Sequence, residues 1–233
     1  MMKLEVFHFY GAQSRSYEEI WKFQQERVKD IVSGQAAESL IFCEHEAVIT
    51  KGRRSQDSNI VDKTGLPVFD IERGGDVTLH SPGQLVIYLL IKLQGGEFLG
   101  GLSSFLRFCE QIIIDYLINK GLRAGRFGPT GVWIKDSGNQ IKKIASLGIA
   151  VRRWVTYHGI SLNISNDLSL FDKIRPCDFD ASIMTSMKNE SVKLSLKEVA
   201  EELESIFISR FGSQKSDLPM DLGIMETSAR NHL

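Results

Sequence analysis

The sequence predicts an α+β fold, a single domain in which helices pack on a mixed β-sheet. Three observations point there. Two segments carry helical apolar periodicity behind capping-box residues, a third is a long apolar stripe, and short strand-like runs lie between them in no regular strand–helix alternation. No internal repeat or low-complexity linker divides the chain.

The first helix opens at Ser16-Tyr17-Glu18-Glu19, a capping-box pattern, and Tyr17, Ile20, Trp21, Val28 and Ile31 share about one face. Leu40 to Cys43 and Ala47 to Thr50 read as short strands around the polar corner Glu44-His45-Glu46. Val68 to Ile71 and Leu85 to Leu93 read as further strands, the second apolar enough to be buried on both faces. Leu102, Phe105, Leu106, Cys109, Ile112, Ile113, Tyr116 and Leu117 recur at three- and four-residue steps, with Gly121 as the stop. Val132 to Ile134, Ile141 to Ala150 and Trp154 to Ile164 complete the strands, and Asp136 to Asn139 supplies a hairpin turn between the first two. Ser195-Leu196-Lys197-Glu198 is a second capping box, and Leu196, Val199, Leu203, Ile206 and Phe207 form the face of the last helix. The expected domain spans residues 1–213, with 214–233 a flexible tail.

Lys plus Arg is 28 against 29 for Asp plus Glu, a formal charge of -1 that argues against a nucleic-acid binder. Hydrophobic residues make up 42% of the chain, enough for a sizeable core without disulfides or metals. Cys43, Cys109 and Cys177 form no CxxC pair, and the N-terminus lacks the apolar core of a signal peptide. No stretch approaches the length of a membrane span. These features lead to a cytoplasmic protein with no membrane partner. The scattered histidines and cysteines show no metal-ligand spacing.

Arg73 to Gln84 is the densest run of residues that do not belong to a core: three glycines, a proline and a histidine between two strands. Gly and Pro are ordinary turn residues, yet adjacent glycines also let a backbone approach a ligand. Turn and binding site both remain open on the residues alone. Cys43 and Cys109 fall in apolar runs and read as buried hydrophobes. Cys177 follows Arg175-Pro176 in a loop, where it is either a plain loop cysteine or a nucleophile served by a nearby base. Lys142 and Lys143 point to opposite faces of their strand, so one of them faces inward. An exposed edge lysine is the ordinary explanation, and a desolvated base the other. His158-Gly159 interrupts a strand, where a lone histidine is usually structural.

Together these segments resemble the lipoyl(octanoyl) transferases, which share a fold with lipoate– and biotin–protein ligases. The family's Arg-Gly-Gly-x-x-Thr-x-His-Gly-Pro-Gly-Gln stands at Arg73 to Gln84, its Lys-Ile-Ala-Ser-x-Gly at Lys143 to Gly148, its His-Gly-x-x-Leu-Asn at His158 to Asn163, and its Pro-Cys at Pro176-Cys177. Glu44-His45 and Thr50 to Arg53 resemble its Glu-His-x-x-x-x-Thr-x-Gly-Arg. Leu79 stands in place of a usual aromatic, and Ser81 and Asp178 in place of usual glycines. Leu79 and Ser81 are expected to alter the acyl pocket slightly.

The resemblance implies transfer of octanoyl from octanoyl-acyl carrier protein, through a thioester on Cys177 with Lys143 as general base. The acceptor is a lysine of apo lipoyl domains, those of 2-oxoacid dehydrogenase complexes and of the glycine cleavage H protein. Substrate contacts fall on Arg73, Gly74, Gly75, Asp76, Val77, Thr78, Leu79 and His80, on Ser146, Leu147 and Gly148, and on Gly159, Ile160 and Ser161. Backbone N–H groups of these glycine-containing segments are the expected oxyanion donors. No metal, nucleotide or other cofactor is implied. The alternatives are an ATP-dependent lipoate–protein ligase on the same fold and an inactive acyl-protein binding module.

Overall fold

The computed structural model describes residues 4–62, 65–93, 98, 101–136, 138–175 and 181–216. Among the described residues ten strands form two sheets, both mixed, accompanied by three α-helices. The larger has seven strands: β1 (Glu5–Phe9), β2 (Ser39–Cys43), β6 (Gln84–Leu90), β10 (Val155–Asn163), β9 (Ile141–Arg152), β8 (Val132–Lys135) and β7 (Ala124–Gly125), in that spatial order. Only β1 and β2 run parallel; the other pairs are antiparallel. The smaller sheet places β3 (Val48–Lys51) between β4 (Val68–Asp70), parallel to it, and β5 (Val77–His80), antiparallel to it.

α1 (Tyr17–Ser33) packs on one face of the large sheet, while α2 (Gly101–Asn119) and α3 (Leu196–Ser216) pack on the other. β6 is buried along its whole length because it is central in the sheet and covered on both sides, as its continuous apolar run implies. Ser16 makes the full capping box, its Oγ accepting from the Glu19 N–H while the Glu19 carboxylate accepts from the Ser16 N–H, and Gly34 ends the helix at φ 77°. Ser195 and Glu198 repeat the reciprocal cap at α3. Phe105, Cys109, Ile112, Ile113, Tyr116 and Leu117 of α2 are all buried, as are Val199, Leu203 and Phe207 of α3.

Several details differ from the sequence reading. β1 forms at the edge of the large sheet, half-buried throughout and so without a sharp alternation to announce it. β7 has only two residues, too few to carry a pattern. The Gly-rich segment is not one connection: its middle, Val77–His80, is strand β5, paired residue by residue with β3. Trp154, expected inside a strand, sits at the tip of the β9–β10 hairpin. α3 runs on to Ser216, through the position where the domain was expected to end, and the proposed tail beyond it lies outside the described residues. No described helix is long and apolar enough to cross a membrane.

Candidate active site

The loop before β5 is built against two neighbours. The Arg53 and Arg54 N–H groups donate to the Arg73 and Gly75 carbonyls, each at 3.0 Å, and the Gly74 N–H donates to Ile149 O on β9 at 3.1 Å. Arg73 is 8% exposed, and its guanidinium donates to Thr50 O at 2.8 Å, Thr50 Oγ1 at 3.1 Å and Gly74 O at 3.2 Å. A buried guanidinium is tolerated only when its donors are met, and backbone carbonyls of β3 and of its own loop help to meet them here. Asp76 Oδ2 accepts from Asn59 Nδ2 at 2.6 Å, and Asp76 Oδ1 from its own neighbour, the Val77 N–H.

A buried amide network ties this segment to the rest of the site. His80 Nδ1 lies 2.7 Å from Gln84 Oε1, Gln84 Nε2 donates to Asn163 Oδ1 at 2.8 Å, and Asn163 Nδ2 donates to Thr185 O at 2.9 Å. Burial pushes the His80 imidazole down to about 4, so the ring is held neutral in this network. His45 is pushed down to about 3 by burial and by the neighbouring His80, and its Nε2 lies 2.9 Å from the Tyr88 hydroxyl. The Glu44 carboxylate accepts the Gly83 N–H at 2.7 Å, which explains the Glu-His pair: one member closes the Ser81–Gly83 turn and the other fills the floor beneath it.

His158 breaks the alternation of β10 with φ 59°, which sets its ring 4.8 Å from that of Tyr157. Its backbone N–H donates to Gln24 Oε1 at 2.9 Å, and its Nε2 stands 3.6 Å from Glu72 Oε2. The imidazole beside it holds the Glu72 carboxyl at about 2, while burial lowers His158 itself. Gly159 follows because β6 crosses there: a Cβ would fall on Ile87 O and lie 2.9 Å from Leu89 Cδ1.

Lys143 lines the pocket and Lys142 does not. Lys143 Nζ lies 5.5 Å from the centre of the buried Trp133 ring. Its room comes from Gly131, at φ 137°, where a Cβ would lie 2.6 Å from Lys143 Cε and 2.7 Å from Ala145 O. Gly131 is held by Glu110 of α2, a carboxylate only 1% exposed that accepts from the Gly131 N–H at 3.0 Å, from Arg126 Nε at 2.8 Å and from Arg107 at 2.7 Å. The Lys143 carbonyl accepts the Thr185 N–H at 2.9 Å, and Met184 bridges to the same lysine.

These pieces enclose a pocket of about 240 Å³. Of the residues expected to contact substrate, Arg73 to Thr78, His80, Ser146 to Gly148 and Gly159 to Ser161 line it. Leu79 does not. In β5 it points to the opposite face, fully buried among Ile49, Val77 and Phe171. Ser81 does not line the pocket either; it is buried in the turn and its φ is not positive, so a side chain is accommodated there. The Gly74 N–H is committed to Ile149, and Gly148 and Gly159 face each other in the β9–β10 ladder, which argues against these glycines as free oxyanion donors. Leu102 and Leu106 of α2, with Pro129 and Thr130, complete the wall. The sequence marked the two leucines only as core, because the stripe of a helix does not say which of its residues meet a cavity.

Cys177 lies outside the described residues, with Pro176, Asp178, Phe179 and Asp180. The chain on either side is anchored at the pocket: the Arg175 N–H donates to Asn59 O at 2.8 Å, beside Asp76, and Met184–Thr185 is tied to Lys143. Cys43 and Cys109 are fully buried, and burial raises both thiols far above the usual range. No cluster of metal-ligating side chains occurs among the described residues.

The lipoyl protein ligase A/B catalytic domain family matches residues 16–208. The chain is 40% identical to the octanoyltransferase of Geobacter sulfurreducens over 178 residues, 75% of this chain and 72% of that one. It is 36% identical to the octanoyltransferase of Cutibacterium acnes over 226 residues, 93% of this chain and 82% of that one. This chain belongs to the octanoyltransferases of the lipoyl protein ligase A/B catalytic domain family. The fold of the family is also seen in a lipoate-protein ligase A structure with bound ATP, with a TM-score of 0.61 at 16% identity over 94% of this chain and 89% of that one. A putative lipoate protein ligase from Thermoplasma acidophilum gives 0.63 at 16% identity, over 91% and 86%.

Proposed function

We propose that this octanoyltransferase carries octanoyl from octanoyl-acyl carrier protein to a lysine of apo lipoyl domains, in the cytoplasm, through a thioester on Cys177. The acceptors are the lipoyl domains of 2-oxoacid dehydrogenase complexes and the glycine cleavage H protein. The observation that carries the reading is Lys143, the one of the two adjacent lysines that lines the pocket, with Met184 and Thr185 after the cysteine segment tied to it and Arg175 before the segment tied to Asn59, the partner of Asp76.

In the first step Lys143 takes the Cys177 proton and the thiolate attacks the donor carbonyl. The new ammonium stands beside the developing oxyanion, then returns its proton to the departing carrier thiol. In the second step the acceptor amine attacks the acyl-enzyme and loses its proton to Lys143. The amide forms and the Cys177 thiol is restored. A thioester donor is already activated, so no nucleotide enters. Leu102, Leu106, Leu147 and Ile160 offer the acyl chain an apolar wall. At about 0.8 kcal/mol per buried methylene, octanoyl gains roughly 5 kcal/mol over acetyl from its six additional methylenes, so octanoyl donors react far better.

The test mixes protein with octanoyl-acyl carrier protein without ATP, followed by digestion at low pH. The expected adduct is on the peptide containing Cys177 and is discharged by an apo lipoyl domain. Cys177→Ala abolishes it, whereas Cys43→Ala and Cys109→Ala retain it with some loss of stability. Activity only with free octanoate and ATP would identify a ligase, and absence of any loading would leave a binding module.

A further inference from the structure

The β9–β10 hairpin turns through Arg153 and Trp154, whose φ values are 47° and 66°. Tight turns of this hand ordinarily use Asn and Gly, because bulky side chains resist positive φ. Here the tip holds a guanidinium and an indole, and Trp154 is 54% exposed. Turn formation does not account for that choice of residues, and neither does core packing.

The tip stands in a field of arginines. Arg152 and Arg153 are exposed on the hairpin, and Arg53 and Arg54 are exposed on the turn that follows β3. The Arg53 N–H donates to Arg73 O at 3.0 Å and the adjoining Gly74 N–H to Ile149 O at 3.1 Å, which ties the turn after β3, through the Arg73–Gly74 loop, to β9 three residues before Arg152. None of the four is in an ion pair among the described residues. The carboxylate that shares this corner, Glu72, is turned toward His158 and Gln25. With a chain charge of only -1, such a cluster is a local feature and not a reflection of a basic protein. It also reaches the site. Arg54 lines the pocket, and Arg152 stands three residues beyond Ile149 of the pocket wall, about 10 Å along the strand.

We propose that this corner of arginines and Trp154 docks the acyl donor: an acidic carrier protein whose acyl arm bears a phosphodiester. This rests on the carrier-donor reading above and adds the surface that recognises it. Guanidinium groups suit phosphate and carboxylate oxygens, and an exposed indole is a favoured anchor at the centre of an interface.

Arg152→Glu with Arg153→Glu, and separately Trp154→Ala, test the surface, and none of these residues lines the pocket. Folding is checked by melting temperature. Affinity for octanoyl-acyl carrier protein is measured by titration, and loading of Cys177 is compared between that donor and octanoyl-pantetheine, which has neither the protein nor the phosphate. The double charge reversal should weaken carrier affinity and loading by tenfold or more, on the order expected for reversed interface charges, and flatten their salt dependence. Loading from octanoyl-pantetheine and discharge to an apo lipoyl domain should stay within about twofold, because steering charges act on the encounter and not on the chemistry. Unchanged carrier affinity in both variants would overturn the proposal. A loss confined to discharge would assign the surface to the acceptor. Failure of the wild-type protein to load from either donor would overturn the transfer reading instead, while carrier affinity would still report on the surface.

Discussion

Replacing Glu110 with alanine removes the acceptor shared by the Gly131 N–H, Arg126 and Arg107. The consequences are unequal. The Gly131 N–H is buried, and leaving it unpaired costs about 1–3 kcal/mol. Arg126 and Arg107 have side chains 31% and 62% exposed, so water takes over their donors and each lost pair costs about 0–1 kcal/mol. The sum is about 1–5 kcal/mol, which for a domain of this size corresponds to a fall of roughly 2–20 °C in melting temperature. The catalytic effect follows from position: Gly131 sets the space beside Lys143 Cε, and Pro129 and Thr130 of the same loop line the pocket. Cys177 loading from octanoyl-acyl carrier protein, measured below the melting transition, should therefore fall along with stability. Glu110→Gln keeps an oxygen for the Gly131 N–H and should lie between the two. A Glu110→Ala protein with wild-type melting temperature and wild-type loading would refute the view that this buried carboxylate sets the loop.

Two further outcomes are expected. Lys143→Ala should remain folded and lose most acyl transfer, whereas Lys142→Ala should retain it; equal losses in an assay of Cys177 loading would show that position in the pocket does not separate their roles. The second concerns acid stability. His80 and His45 titrate at about 4 and about 3 in the folded protein because burial disfavours their charged forms, against about 6.5 for an unfolded histidine. Below pH 6.5 the unfolded chain binds protons that the native one does not. The stabilising contribution is thus complete above about pH 7 and declines as the pH falls toward 4 and then 3. Melting temperatures that stay flat from pH 6.5 to 4 would mean these imidazoles are not held neutral.

Features written locally in the chain were legible from it. Both reciprocal caps depend on residues three apart, and the buried strand β6 announces itself as an unbroken apolar run. The Arg73 to Gln84 segment stood out as a run of non-core residues between two strands, with turn and binding site both open until the family motif was matched to it. Its division into a loop and strand β5 was not legible, since Val77 to His80 becomes a strand only by pairing with β3. Glu110 was missed for a related reason. A glutamate on an apolar helix reads as an exposed residue until Arg126 and the Gly131 N–H, distant in sequence, arrive to satisfy it.

The sequence by itself determined the helices, most of the strands, the family motifs and the identities of the chemical groups. Those depend on spacing, capping and side-chain type, all of which act over a few residues. Tertiary structure decided direction and environment. It turned Leu79 away from the pocket while its neighbours Thr78 and His80 line it, made His80 and His45 neutral by burial, and opened beside Gly131 the space that Lys143 occupies. It also gathered Arg53, Arg54, Arg152 and Arg153 near one another from two separate turns. The physical reason is common to all of these: burial, desolvation and electrostatic neighbourhood are properties of segments brought together by the sheets, and no window of the chain contains both partners.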